Sequence, residues 1–209
     1  MGHSRVVHVI DDEPDVCEAL KVLLHTAGME ARTYASAEEF LSEVKLSRLL
    51  CLLVDLRLPG MSGLDLVRHL QQGPMCPVVV MITGHGDVPL AVKAMRAGAL
   101  HFLEKPFEPA ELLQTLEEAH QRVREIAAEE EAYAAIEASY RTLTAREQEV
   151  MALLAEGMPT KVLATRLGIS TRTAEHHRAA VLQKMRARTL SHLARMSMSL
   201  QGRSAVPRP

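Results

Sequence analysis

The chain has 209 residues, 47% of them hydrophobic and 24% charged, which excludes collagenous, disordered and disulfide-stapled classes and suits one large or two modest globular domains. Aromatics make up only 3%, with no Trp, so any core must be built from Leu, Val, Ala and Met. The net charge of −2 hides an asymmetry: residues 1–122 hold 11 basic and 17 acidic side chains, residues 123–138 one and five, and residues 139–209 twelve and four. An acidic front and a basic back indicate two functions, the second directed at a polyanion.

The first 120 residues alternate short apolar runs with amphipathic stretches. The runs are Val6–Ile10, a weaker Ala31–Ala35, Leu49–Val54, Val78–Ile82 and Leu100–Leu103. Helical segments are predicted between them: one from Pro14 to a left-handed cap at Gly28, one opening with the capping box Ser36-Ala-Glu-Glu39, and others over 63–72, 88–97 and from 109 onward. Near-continuous apolar strands belong in a parallel sheet covered on both faces. Five such β–α units make a doubly wound α/β fold that binds ligands at the carboxyl ends of its strands.

Residues 122–140 contain few helix breakers and a Glu129-Glu-Glu131 run, with Ile126, Tyr133 and Tyr140 spaced by seven. They predict a helical linker, either a solvated helix, which the Glu-rich seam favours, or a short coiled-coil contact. Residues 141–200 read as a small all-α domain. Thr144 and Glu147 form a capping box, and Gly157 ends the helix they start. A second helix over 161–167 closes at Gly168, and a third runs from Ser170 or Thr171 to about Met185. Two short helices joined across Gly168-Ile-Ser170 match a helix-turn-helix, whose second helix enters the major groove. Arg172, Arg178, Lys184, Arg186 and Arg188 supply candidate phosphate contacts. The neighbouring His176 and His177 point about 100° apart on a helix, which disfavours joint chelation of a metal. A disordered tail is expected over 201–209.

Cys17, Cys51 and Cys76 show no metal or disulfide spacing and read as reduced core residues. The longest apolar run is far too short to cross a bilayer, and no signal peptide is visible, so a cytoplasmic protein with no membrane partner is expected.

Chemistry collects at the predicted strand ends. Asp11 and Asp12 follow the first strand, Asp55 closes the third, Thr83 the fourth and Lys105 the fifth. Crowded carboxylates need a cation, and oxygen ligands with room for water suit Mg2+. With Asp11 and Asp12 neutralised, Asp55 is an ionised nucleophile able to attack a phosphoryl group in line, and Lys105 and Thr83 supply a cation and a donor for the equatorial oxygens. Any one of these residues alone reads better as a helix cap or surface charge; their joint placement reverses that.

The segments Val9-Ile-Asp-Asp-Glu13, Val54-Asp-Leu-Arg-Leu-Pro-Gly60, Ile82-Thr-Gly-His-Gly86 and Phe102-Leu-Glu-Lys-Pro106 resemble the receiver domains of two-component response regulators, and Thr83 to Val92 resembles the FixJ-type branch in particular. The resemblance implies a flavodoxin-like receiver over residues 1–121, with strand order 2-1-3-4-5. It implies phosphorylation of Asp55 by a sensor histidine kinase, and Mg2+ held by Asp12, Asp55 and the Arg57 backbone carbonyl, with Asp11 acting mostly through water. A cis Lys105–Pro106 bond is expected. Thr83 and Phe102 take the switch positions, and because Phe102 lacks a hydroxyl its rearrangement must be driven by packing. Phosphorylation-dependent homodimerisation is implied, with Val88, Leu90, Val92 and Lys93 in or near the interface.

Residues 143–184 resemble the LuxR-type output domain, through Leu143-Thr-x-Arg-Glu-x-Glu-Val150, Gly157, Lys161, Ala164, Leu167-Gly-Ile-Ser170, Thr173, Glu175 and Lys184. That resemblance puts Glu175, His176 and Ala179 at base edges and Lys161, Thr173, His177 and Lys184 near the backbone, with Arg178 among the DNA-binding set. Pro159, Ala174 and the His pair depart from the family pattern and put the target sequence in question, not the role. The expected protein is a response regulator that binds promoter DNA at an inverted repeat, with RNA polymerase as a further candidate partner. It assists its own phosphorylation and dephosphorylation but is not a turnover enzyme. A phosphoryl relay with a degenerate output domain and an RNA-binding regulator are the rival readings; the helix-turn-helix favours DNA, since A-form RNA hides its major groove.

Overall fold

The computed structural model describes residues 5–73, 76–84 and 88–204, without the side chains of Val88, Arg203 and Ser204. The chain divides into two compact units, residues 1–127 and 128–209. In the first, β1 (Val6–Ile10), α1 (Pro14–Thr26), β2 (Glu30–Tyr34), α2 (Ala37–Glu43), β3 (Cys51–Asp55), α3 (Gly63–Gln72), β4 (Val78–Thr83), α4 (Val88–Arg96) and β5 (His101–Glu104) alternate along the chain. They are followed by α5 (Pro109–Arg141). All neighbouring strands are parallel, in the order β2-β1-β3-β4-β5, as the fold reading requires.

Every residue of β3 and β4 is buried, which accounts for the unbroken apolar runs at the centre of the sheet. Side-chain alternation sorts the strands into two cores. Ile10, Leu52, Val54, Val79 and Met81 face α2, α3 and α4, where Phe40, Leu66 and Leu70 are fully covered. Val7, Val9, Leu53, Val80 and Ile82 face α1 and α5, where Leu24, Leu112 and Leu116 close the other layer. His8 sits on the first of these faces, its ring stacked on Tyr34 with Nδ1 2.9 Å from the Tyr34 hydroxyl. The helix starts carry side-chain caps: Ser36 accepts from the Glu39 N–H, and Ser62 from the Asp65 N–H. The capping box expected at α2 is displaced by one residue, because the Glu39 carboxylate accepts from the Ala35 N–H.

The second unit contains the end of α5 and α6 (Ala145–Ala155), α7 (Thr160–Arg166), α8 (Thr171–Lys184) and α9 (Leu190–Ser204) around a core of Val150, Met151, Leu154, Leu163, Val181, Met185 and Leu193. The Thr144–Glu147 capping box is present in full. Pro159 occupies the N-cap of α7 rather than its first helical turn, with an extended ψ of 142°. One correction concerns the end of this unit. Helix α9 continues through Gln201–Ser204, where a disordered tail is expected, because Leu200 extends its apolar contact with the core; residues 205–209 lie outside the described set. Of the three residues spaced by seven, Ile126 packs against the core of its own unit and Tyr140 against the core of the second. Among the described residues no helix is long and apolar enough to cross a membrane.

Candidate functional site

The strand ends bring Asp11, Asp55, Thr83 and Lys105 to one edge of the sheet. Asp11 directly follows β1, Asp55 and Thr83 are the last residues of β3 and β4, and Lys105 follows β5, its N–H bonded to the Thr83 carbonyl at 2.7 Å. Asp11, Asp55 and Thr83 are almost wholly buried, whereas Asp12 is exposed at the mouth. The Lys105–Pro106 peptide is cis.

The Lys105 ammonium lies 2.8 Å from Asp11 Oδ2, 3.0 Å from Asp55 Oδ1 and 3.4 Å from Glu13 Oε1. Asp11 Oδ1 accepts from the Glu13 N–H at 3.0 Å, and Asp55 Oδ2 from the Arg57 N–H at 2.6 Å. Burial alone would lower the Lys105 pKa, but its bonds to Asp11 and Asp55 outweigh this and hold it well above its ordinary value. Burial pushes the Asp55 carboxyl above its ordinary value, against the pull of Lys105 and the Arg57 amide, while Asp11 adds a like charge.

The donor set fits magnesium. It consists of oxygens only, with Asp12 at the solvent edge and the Arg57 carbonyl two residues past Asp55. A resident ion would rest on the Asp12 and Asp55 carboxylates, the Arg57 carbonyl and water, a set that Mg2+ commonly takes. Gly63 keeps the loop beyond Asp55 close to the strand: a Cβ there would come within 2.0 Å of the Asp55 carbonyl oxygen.

Phe102 lies on β5 opposite Met81 and packs partly buried against the core. Thr83 is opposite Glu104, two residues further on, so Thr83 and Phe102 are diagonal neighbours on one face of the sheet. On α4, Val92 and Lys93 are exposed, and Met95 with them. Leu90, expected in or near a dimer surface, is half-buried and packs partly against the core. The Val88 side chain lies outside the described residues, as do residues 85–87 of the FixJ-like segment.

In the second unit, α7 and α8 meet across a turn at Gly168, whose φ of +65° only glycine adopts freely. Ser170 caps α8 by accepting from the Thr173 N–H at 3.1 Å. Arg172, Thr173, Glu175, His176 and Ala179 form its exposed face, Lys161 is exposed on α7, and His177 is half-buried. Two residues of the expected DNA-binding set also have particular surroundings within the unit. Arg178 is half-buried beside the buried stripe of Ala174, Val181 and Met185, and its Nε is buried with no hydrogen-bond partner. The Lys184 ammonium binds both oxygens of buried Glu147, at 2.8 and 2.6 Å. The hydrogen bond from Lys184, seconded by the Thr144 N–H, depresses the Glu147 pKa to about 2. Sequence reasoning took Glu147 only as a capping residue; a charge beside the apolar Val150–Met151 pair was the available hint of a second partner. In the first unit, Glu13, which meets Lys105, and Glu38, which accepts from the Met61 N–H, lacked such a hint, since exposed acids near helix starts are common.

Residues 7–117 match the response regulator receiver domain family, and residues 141–197 match the luxR family of bacterial regulatory proteins. The chain belongs to the response regulators that join a receiver to a LuxR-type DNA-binding domain, a family of transcriptional regulators. It is 41% identical over 193 residues to the transcriptional regulatory protein FixJ of Rhizobium meliloti (strain 1021), covering 92% of this chain and 95% of that one. It is 43% identical over 196 residues to the C4-dicarboxylate transport transcriptional regulatory protein DctR of Rhodobacter capsulatus, covering 93% and 100%. Among solved structures, that of the response regulator StyR is similar with a TM-score of 0.79 at 38% identity, covering 92% of this chain and 98% of that one.

Proposed function

We propose that Asp55 accepts a phosphoryl group from a phosphohistidine of a sensor kinase, and that the phosphorylated protein dimerises through its receiver and binds promoter DNA. The observation that carries this reading is the convergence of Asp11, Asp55 and Lys105 within 3.0 Å contacts at the carboxyl edge of the sheet. A carboxylate oxygen of Asp55 attacks phosphorus in line, an oxygen–phosphorus bond forms, the nitrogen–phosphorus bond breaks, and the imidazole leaves with its electron pair. Lys105 turns from Asp55 Oδ1 toward the incoming oxygens, and the Thr83 hydroxyl donates to one of them. Asp12, Asp55 and the Arg57 carbonyl, with Asp11 beside them, would hold Mg2+, which would supply further charge neutralisation. A partner presenting a phosphohistidine must rest beside Lys105, where Val16, Leu23, Pro106 and Phe107 line a shallow apolar cavity of about 270 Å³.

Movement of Thr83 toward the phosphoryl group makes room on the face it shares with Phe102, and repacking there reaches α4. The exposed Val92, Lys93 and Met95 support α4 as the dimer surface. In the output unit, Glu175, His176 and Ala179 read base edges, while Lys161, Arg172, Thr173 and His177 meet the sugar–phosphate backbone. Lys184 and Arg178 act by orienting α8 rather than by leading its contacts. RNA polymerase remains the partner through which a bound dimer would act on transcription.

The test is selection of DNA from a random pool by protein activated with a small phosphodonor and Mg2+, beside the Asp55→Ala variant. An inverted-repeat motif enriched by the activated protein alone is expected. Equal enrichment by both would remove the switch, and no motif from either would move a phosphoryl-relay role to the front.

A further inference from the structure

We infer that Glu38, on α2, is a positioning residue for the metal-binding loop after Asp55. The inference rests on the assignment of the Arg57 carbonyl as a magnesium ligand. Arg57 belongs to the stretch from Leu56 to Ser62 that joins β3 to α3. That stretch is anchored at its base, where the Leu56 N–H binds the Ile82 carbonyl at 2.8 Å, the Gly63 N–H binds the Leu56 carbonyl at 3.1 Å, and the Arg57 N–H binds Asp55 Oδ2. The tip is held from elsewhere: Glu38 Oε1 accepts from the Met61 N–H at 2.8 Å, across 23 residues of sequence. The turn is built around this carboxylate. Gly60 takes a φ of +74°, and a Cβ at that position would lie 2.6 Å from Glu38 Oε1. The carboxyl is held below its ordinary range by its own backbone N–H in the first turn of α2 and then by the Met61 N–H.

The physical consequence is preorganisation. A carbonyl ligand contributes fully only if its peptide plane already faces the ion; ordering a loose loop at the moment of binding costs conformational entropy. With the base and the tip both tethered, the Arg57 peptide has little freedom left. Glu38 reaches the ion only through this loop, so what matters is the length of its side chain and its acceptor oxygen, not its charge. That separates the inference from a general electrostatic attraction of Mg2+ to another acid near the pocket.

Calorimetric titration of the full chain with MgCl2 tests it, using Glu38→Gln, which keeps the reach and loses the charge, and Glu38→Asp, which keeps the charge and falls one methylene short. The loss of one exposed hydrogen bond predicts Mg2+ binding weakened about fivefold in Glu38→Asp and within about twofold of wild type in Glu38→Gln. Thermal unfolding without Mg2+ should leave both variants near wild type, since each keeps a good residue at the start of α2. Weak binding by Glu38→Gln with normal binding by Glu38→Asp would overturn the inference in favour of charge, and wild-type binding by both would overturn it outright. Absence of Mg2+ binding by the wild-type chain would remove the magnesium reading itself, and the inference with it.

Discussion

Lys105 stands within 3.4 Å of three carboxylates, so the pocket depends on one ammonium more than on any single acid. Removing it leaves Asp11 and Asp55 buried side by side with only a metal to separate their charges. Lys105→Met is therefore expected to lower the rate of phosphorylation from a small phosphodonor by about a hundredfold, the usual cost of losing one donor to developing charge. The measurement is the fraction of phosphorylated chain against time on a phosphate-affinity gel, with circular dichroism to confirm folding. Residues of this kind were legible in the sequence because their chemistry is rare at strand ends. Glu38 and Glu13 were not: both are ordinary acids in helix-start segments, and only the fold brings one to the Met61 N–H and the other to the Lys105 ammonium.

At the scale of the elements, α8 is defined by how it begins and ends. It begins at the Ser170 cap and ends with Arg186 at a φ of +53°, the one non-glycine residue among those described with a left-handed backbone. Arg186→Gly should stabilise the second unit by about 1 kcal/mol, because glycine takes this conformation without the Cβ penalty, and thermal unfolding would show it as a raised midpoint. The other end of α8's support is the Glu147–Lys184 pair. The folded pKa of Glu147 is about 2, against an ordinary 4.5. Its stabilisation is therefore complete above about pH 4.5 and is lost as pH falls toward 2. Glu147→Gln is expected to lower the midpoint at neutral pH and to flatten its decline across that window. An undiminished acid slope in the variant would assign the loss to other carboxylates. The helix and strand pattern was readable in advance from caps, glycines and apolar periodicity. The orientation of α8 was not, because only the core it meets decides which stripe of the helix is buried.

For the whole molecule, the division of charge predicts how DNA binding responds to salt. Residues 139–209 hold twelve basic and four acidic side chains, so phosphate contacts should dominate affinity, with a fall of tenfold or more between about 50 and 200 mM salt. Fluorescence anisotropy with labelled duplex over a salt series measures the slope, and a flat response would argue that the basic surface serves another purpose. Binding should also be steeper in salt than the receiver's phosphorylation, whose charges are buried and little screened. The sequence by itself determined the two-unit plan, the parallel doubly wound sheet, the gathering of Asp11, Asp55, Thr83 and Lys105 at the strand ends, and the helix-turn-helix. It could do so because burial on both sheet faces, strand-end carboxylates and capping chemistry are local patterns. The tertiary structure alone decided that Leu90 packs partly against the core, that Ile126 and Tyr140 pack within their own units, that Lys184 binds Glu147, and that Glu38 holds the loop beyond Asp55. Each of these depends on which surfaces meet at long sequence separation, and no local pattern encodes that.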